Sequence, residues 1–142
     1  MTTYYAVIDT NVILSALLSK KDDTATVQVI EAVLKGKITP LHHRDIITEY
    51  DDVLNRPEFK LNAKAVSYIL TAIKQYGIEV VPKQTGEVLV HMDDLIFYEV
   101  TMGKREYDAF LVTGNKKHYP VKDFIVSPSE MMQILNGSFI DI

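Results

Sequence analysis

The stretch Tyr4-Tyr5-Ala6-Val7-Ile8-Asp9-Thr10-Asn11-Val12-Ile13-Leu14-Ser15-Ala16-Leu17 decides the fold. Its first part is a short run of β-favouring residues, apolar almost throughout, as a strand covered on both faces requires. The run stops at Asp9. Beyond it Val12, Ile13, Ala16 and Leu17 recur at helical spacing, and Asp9 to Asn11 carry side-chain oxygens able to cap that helix. The stretch reads as strand, tight turn and helix, with an acid at the junction.

The same alternation continues outward. The polar stretch Ser19 to Asp23 leads to a helix with Val27, Ile30 and Leu34 on one face, closed by Gly36. Lys37 to Leu41 is short and contains Pro40, so it predicts at most a brief strand and not a central one. Ile46, Ile47, Tyr50, Val53 and Leu54 form a helical stripe that Asn55-Arg56-Pro57 ends, and Glu49 lies beside it. Val66, Ile69, Leu70 and Ile73 form another, ended by Gly77, after which Ile78 to Pro82 reads as a strand. Lys83 to His91 carries no clear period. Asp93 and Asp94 then precede a short helix with Leu95, Phe97, Tyr98 and Met102, ended by Gly103, and either aspartate suits its cap. Ala109 to Thr113 is the most strand-like run, and Phe124 to Val126 makes a last strand. Ser127-Pro128-Ser129-Glu130 combines capping-box spacing with proline at the first helical position, ahead of Met131, Met132, Ile134 and Leu135.

Such alternation predicts a three-layer α/β domain: a central, mostly parallel sheet flanked by helices, with right-handed crossovers. The 142 residues, 47% of them hydrophobic and 24% charged, suit a single domain over 1–142, with its core at about 4–136 and a loose tail at 137–142. Cysteine is absent, so any metal must sit on oxygen or imidazole. No basic segment followed by a long apolar one opens the chain, and its apolar runs fall short of the ~20 residues that span a bilayer. The expectation is a cytoplasmic protein with no membrane partner. Fifteen Lys plus Arg against 19 Asp plus Glu give a net charge of -4, which argues against holding nucleic acid by bulk electrostatics. That objection weakens where carboxylates converge on a divalent cation, because the ion reverses the local field.

In parallel sheets ligands collect outside the carboxyl ends of the strands. Asp9 directly follows the first strand there, Asn115 follows the Ala109 to Thr113 strand, Asp94 opens a helix facing the same edge, and Glu49 is able to point toward it. Hard cations such as Mg²⁺ or Mn²⁺ take oxygen ligands of this kind, usually one or two carboxylates plus waters and substrate phosphate. Each residue alone has a plainer explanation. Asp9 and Asp94 fit helix caps worth ~1 kcal/mol each, Glu49 fits a solvated helix side chain, and Gly114-Asn115 fits a turn at positive φ. Only the combination points to chemistry.

Other classes lack their signatures. His42 and His43 form a dipeptide while His91 and His118 stand alone, so H-E-x-x-H zinc spacing is missing. Neither phosphate-binding glycine loop is present, nor the G-x-S-x-G elbow. Lys104-Arg105 and Lys116-Lys117-His118 form the one notable basic concentration, and Lys116 and Lys117 there suit guidance of a substrate phosphate.

Taken together, these residues resemble the PIN-domain family, and more closely its branch of toxin components of toxin–antitoxin systems, similar to VapC-type toxins. The resemblance runs from about Tyr4 to Leu135. The opening motif D-T-N-V-x-x-S-A-L stands as Asp9 to Leu17; E-x-x-x-V-L is matched, slightly offset, by Glu49 to Leu54; D-x-x-F-x-E stands as Asp94 to Glu99, which selects Asp94 over Asp93. V-T-G-N-x-K-H-F-P stands as Val112 to Pro120 with Tyr119 for Phe, where other members read V-T-G-D.

The resemblance implies a metal-dependent endoribonuclease acting on RNA, a small antitoxin that covers the groove, and possible self-association into a homo-oligomer. It implies Mg²⁺ or Mn²⁺ on Asp9, Glu49 and Asp94, with Asp9 and Asp94 as principal ligands. Glu49 then holds or deprotonates the attacking water, Asn115 orients it, and Asn11 and Thr113 support the acids from behind. Asn115 in place of aspartate brings no charge, which weakens any second metal site. Asp108 precedes its strand, so geometry places it at the opposite edge in a structural role. Two other classes stand beside this reading. One is a catalytically weak PIN-fold module that binds RNA or protein; the other is a Mg²⁺-dependent phosphohydrolase with Asp9 as nucleophile, which lacks an acidic pair at the first strand and ranks last.

Overall fold

The computed structural model describes residues 3–137. Its strands are β1 (Tyr4–Ile8), β2 (Ile38–His42), β3 (Ile78–Glu79), β4 (Phe110–Val112) and β5 (Ile125–Val126). All pair in parallel, in the order β3-β2-β1-β4-β5. The helices α1 (Thr10–Leu18), α2 (Ala25–Leu34), α3 (Arg44–Leu54), α4 (Ala63–Tyr76), α5 (Leu95–Met102) and α6 (Pro128–Leu135) flank the sheet, which makes the three-layer α/β fold expected from the sequence. Of the expected loose tail at 137–142, all but Gly137 lies outside the described residues.

The run that opens the sequence becomes the central strand. Ala6, Val7 and Ile8 of β1 are buried, as are Ile38 and Leu41 of β2 and Leu111 and Val112 of β4. Full burial of such side chains contributes roughly 1.5–3 kcal/mol each, so the apolar strands are held in the middle of the molecule. The chain moves from β1 outward to β2 and β3, then returns to the other side of β1 for β4 and β5. The strand order thus reverses between β1 and β4, and the crevice at their carboxyl ends is where such sheets bind ligands.

The turn chemistry accounts for most boundaries. Thr24 accepts from the Val27 N–H to start α2, Asn62 accepts from Lys64 and Ala65 to start α4, and Ser127 with Glu130 forms the complete capping box of α6. At Gly77 a Cβ would lie 2.3 Å from the Pro40 carbonyl oxygen and 2.4 Å from that of Ile73, so α4 can turn into β3 only with glycine there.

Several local expectations are corrected. The segment expected to be at most a brief, non-central strand is the interior strand β2, paired on both sides. Pro40 is tolerated because β3 pairs with β2 only from Leu41 onward, leaving one side of Pro40 without a ladder partner. Ile78 to Pro82 is strand only over Ile78–Glu79. Asp9 and Asp94 occupy the N-cap positions of α1 and α5, yet neither side chain makes a capping hydrogen bond. Asn115 has φ -127, so its turn is not of the positive-φ kind. Asp9 and Asp94 answer instead to distant partners at the sheet edge, while the Asn115 N–H is taken by the neighbouring Thr113 hydroxyl.

Candidate active site

Asp9 leaves β1 at the centre of the sheet and is almost fully buried, 5% exposed. Its Oδ2 accepts from the Thr113 hydroxyl at 2.7 Å and from the Tyr119 hydroxyl at 3.0 Å, both from the segment after β4. Thr113 Oγ1 in turn accepts from the Asn115 N–H at 3.0 Å, which commits its proton to Asp9. Oδ1 accepts from no side chain. The Thr10 backbone N–H also steadies the carboxylate.

Glu49 is brought to Asp9 by its neighbour in α3. The buried Tyr50 hydroxyl donates to the Ile8 carbonyl at the end of β1, and this pins the adjacent turn of α3 against the strand. Glu49 Oε2 then accepts from the Thr10 hydroxyl at 2.5 Å. Asp94, at the start of α5, has its Oδ2 3.2 Å from His118 Nδ1. The three acids therefore share a pattern: one carboxylate oxygen is held by a side-chain donor, and the other is left free of side-chain partners.

These charges feel one another. Burial raises the pKa of Asp9, with the Asp94 charge adding to the effect against the lowering by Thr113 and Tyr119. Burial likewise raises that of Glu49, with Asp9, Asp94 and Asp93 adding to it. Tyr119 and Tyr50 are pushed above the ordinary phenol range, first by burial and then by the Asp9 charge, so both stay protonated donors. Among the described residues no Lys or Arg pairs with Asp9, Glu49 or Asp94; the one partner with a possible positive charge is His118. Charging the buried Asp9 beside half-buried Glu49 and Asp94 with no Lys or Arg to compensate is costly unless a cation supplies the charge.

The donor set has the chemistry of a hard divalent cation. Its geometry is open: among the described residues no three Asp, Glu or His side chains stand close enough to grip one ion together. A cation at this edge would therefore be held by no more than two of these carboxylates together, the number Mg²⁺ commonly takes alongside its waters.

The remaining expected site residues are placed as follows. Asn11 Oδ1 accepts from the Gly114 N–H at 3.2 Å, tying α1 to the loop after β4. Asn115 is exposed, and its side chain makes no hydrogen bond to the three acids. Lys116 is engaged in an ion pair with Glu130 at 3.0 Å, while Lys117 is exposed beside it; both line a cleft with Thr113, Gly114, Asn115, His118 and Ser127. Asp108 is exposed ahead of β4 with φ 59, at the far end of that strand from Thr113. Glu99 accepts from the Thr85 N–H and hydroxyl at 2.8 and 3.0 Å, so it fastens the Lys83 to His91 segment and not the acids.

Sequence reasoning missed Thr10, His118 and Tyr119. His118 does not stand alone: it meets Asp94, and its ring lies 4.5 Å from that of His91. Thr10 was visible as the neighbour of Asp9, and the segment Lys116 to Tyr119 as the neighbour of Asn115, but nothing local says that a 3₁₀ turn at Lys116–His118 swings the next side chain back over Asp9.

A sequence profile of the PIN domain matches residues 5–117. The chain belongs to the PIN-domain family. PIN domains are typically nucleases, hydrolases of phosphodiester bonds that generally use divalent metal ions. No curated protein matches the chain. No helix among its described residues is long and apolar enough to cross a membrane.

Proposed function

We propose that this PIN domain is a Mg²⁺- or Mn²⁺-dependent endoribonuclease whose site is built from Asp9, Glu49 and Asp94. The observation that carries the reading is the shared pattern of the three acids: one oxygen held by Thr113 and Tyr119, by Thr10, or by His118, and one left free of side-chain partners, with no Lys or Arg neutralising them among the described residues. Carboxylates that ligate metal are themselves held by hydrogen bonds from behind.

When bound, the cation would lower the pKa of its water and stabilise charge growing on the phosphoryl oxygens. The side chains divide the rest. Asp9 and Asp94 offer Oδ1 atoms as ligands. Glu49, whose raised pKa brings it nearer neutrality, is suited to take a proton from the attacking water. Asn11 holds the loop after β4 in place, and Lys117, free of ion pairs among the described residues, is the cation available to a phosphate of the RNA. Lys116 serves that role only on release from Glu130.

The motif resemblance over Asp9 to Leu17 and Val112 to Pro120 supports a place in the cytoplasm as the toxin of a toxin–antitoxin pair, restrained by a small antitoxin that covers the acidic edge, with self-association as a further property. The reading is tested by cleavage of single-stranded RNA. Hydrolysis should require Mg²⁺ or Mn²⁺, stop with EDTA, and fall at least ~100-fold in Asp9→Asn and Asp94→Asn; full activity in both variants overturns it. A neutral, exposed Asn115 favours a second reading, a catalytically weak module that binds RNA without cutting it. Strong cleavage by the natural chain excludes that alternative.

A further inference from the structure

The hydrogen bonds made by His118 and Tyr119 reach two acids that sit on different elements, yet both come from adjacent residues of one short turn. Tyr119 is 6% exposed and donates to Asp9 at the end of β1; His118, its neighbour, bonds Asp94 at the start of α5. The turn that carries them is closed on itself, with the His118 N–H on the Asn115 carbonyl at 3.0 Å and the Tyr119 N–H on that of Lys116 at 3.1 Å. His118 is also backed by the His91 ring at 4.5 Å, which limits its rotation.

Resting on the metal-dependent reading above, we propose that the turn Lys116 to Tyr119 is a positioning element that sets Asp9 and Asp94 for one divalent cation, with Tyr119 fixing Asp9 and His118 fixing Asp94. A buried tyrosine hydroxyl needs some acceptor, and packing alone would be served by phenylalanine. Here the hydroxyl is spent on a carboxylate oxygen that Thr113 already holds at 2.7 Å. Two donors on Oδ2 fix the plane of the carboxylate, and only Oδ1 remains to face an ion. The same turn holds Asp94 by Oδ2, so the relation between the two free oxygens is set by adjacent residues of one short segment. Both residues lie just beyond the region matched by the PIN profile, which ends at residue 117.

The test is Mn²⁺ binding to the full chain, read by calorimetry and by the paramagnetic signal of free Mn²⁺, alongside thermal melting in EDTA. Tyr119→Phe should melt cooperatively and bind Mn²⁺ about 10-fold more weakly than the natural chain. His118→Ala should show a similar loss, and His118→Asn, which keeps an N–H near the Nδ1 position, should recover most of it. Equal affinity of Tyr119→Phe and the natural chain overturns the positioning role and leaves the metal reading standing. No Mn²⁺ binding by the natural chain overturns both. Should Tyr119→Phe fail to fold, the His118 pair decides: undiminished binding by His118→Ala overturns the proposal, and loss restored by asparagine supports it.

Discussion

Replacing Asp9 by asparagine should stabilise the metal-free protein while removing its response to Mg²⁺. The asparagine oxygen can still accept from Thr113 and Tyr119, and its amide group takes the place of Oδ1, which has no side-chain partner. What disappears is a buried charge repelled by Asp94 and Glu49. Relief of such functional strain is typically worth about 1 kcal/mol. Unfolding entropy for 142 residues is about 0.3 kcal/mol/K, so the variant should melt about 3 °C higher in EDTA near pH 8. The pH dependence has a definite sign. Because the folded protein holds the Asp9 proton more tightly than the unfolded chain, whose value is 3.8, natural stability falls as pH rises from about that value through the folded pKa. The advantage of the variant should therefore shrink toward pH 4. Mg²⁺ at a hundred times its dissociation constant should add about 2.7 kcal/mol, or about 9 °C, to the natural chain and almost nothing to the variant. Thermal melts followed by circular dichroism, with EDTA or Mg²⁺ at several pH values, provide the measurement. An Asp9→Asn protein that melts below the natural chain in EDTA at pH 8, or that gains as much from Mg²⁺, refutes the reasoning.

Other outcomes follow from single contacts. Tyr50→Phe should cost about 1–2 kcal/mol in a denaturant titration, since the Ile8 carbonyl loses its buried donor. Gly77→Ala should cost about 1–3 kcal/mol or more by the same assay, because the new methyl group meets two backbone oxygens that cannot both retreat. His42 has a pKa lowered by burial, with Glu79, Lys74 and His43 as its charged neighbours. The unfolded chain takes up this proton first, so stability should fall as pH drops below 6.5, and His42→Phe should flatten that slope in melts between about pH 5 and 7. Asn115→Asp adds a carboxylate beside the acid edge and should tighten Mn²⁺ binding; calorimetry showing weaker binding counts against placing Asn115 near the ion.

The fold was legible because its signals are local. A nearly continuous apolar run such as Tyr4 to Ile8 tolerates water on neither face, and the 3.6-residue period of Ile46, Tyr50 and Leu54 declares a helix wherever it occurs. The capping box at Ser127 acts within three residues of itself. Asp9 could be put at a strand end on the same grounds. The interior place of β2 was not legible, because Pro40 is excused by where β3 begins to pair, which is a property of the assembled sheet.

By itself, then, the sequence determined the alternation of strands and helices, the shortage of positive charge, and which acids stand at element ends. Tertiary structure alone decided what those acids do. It takes Asp9 and Asp94 away from helix capping, spends Lys116 on Glu130, and sets Thr113 and Tyr119 against Asp9 across 104 and 110 residues of chain. Such contacts depend on the packing of β1 against β4 and of α3 and α5 around them. A hydrogen bond acts over about 3 Å, and no periodicity along the chain records which distant donor will arrive there.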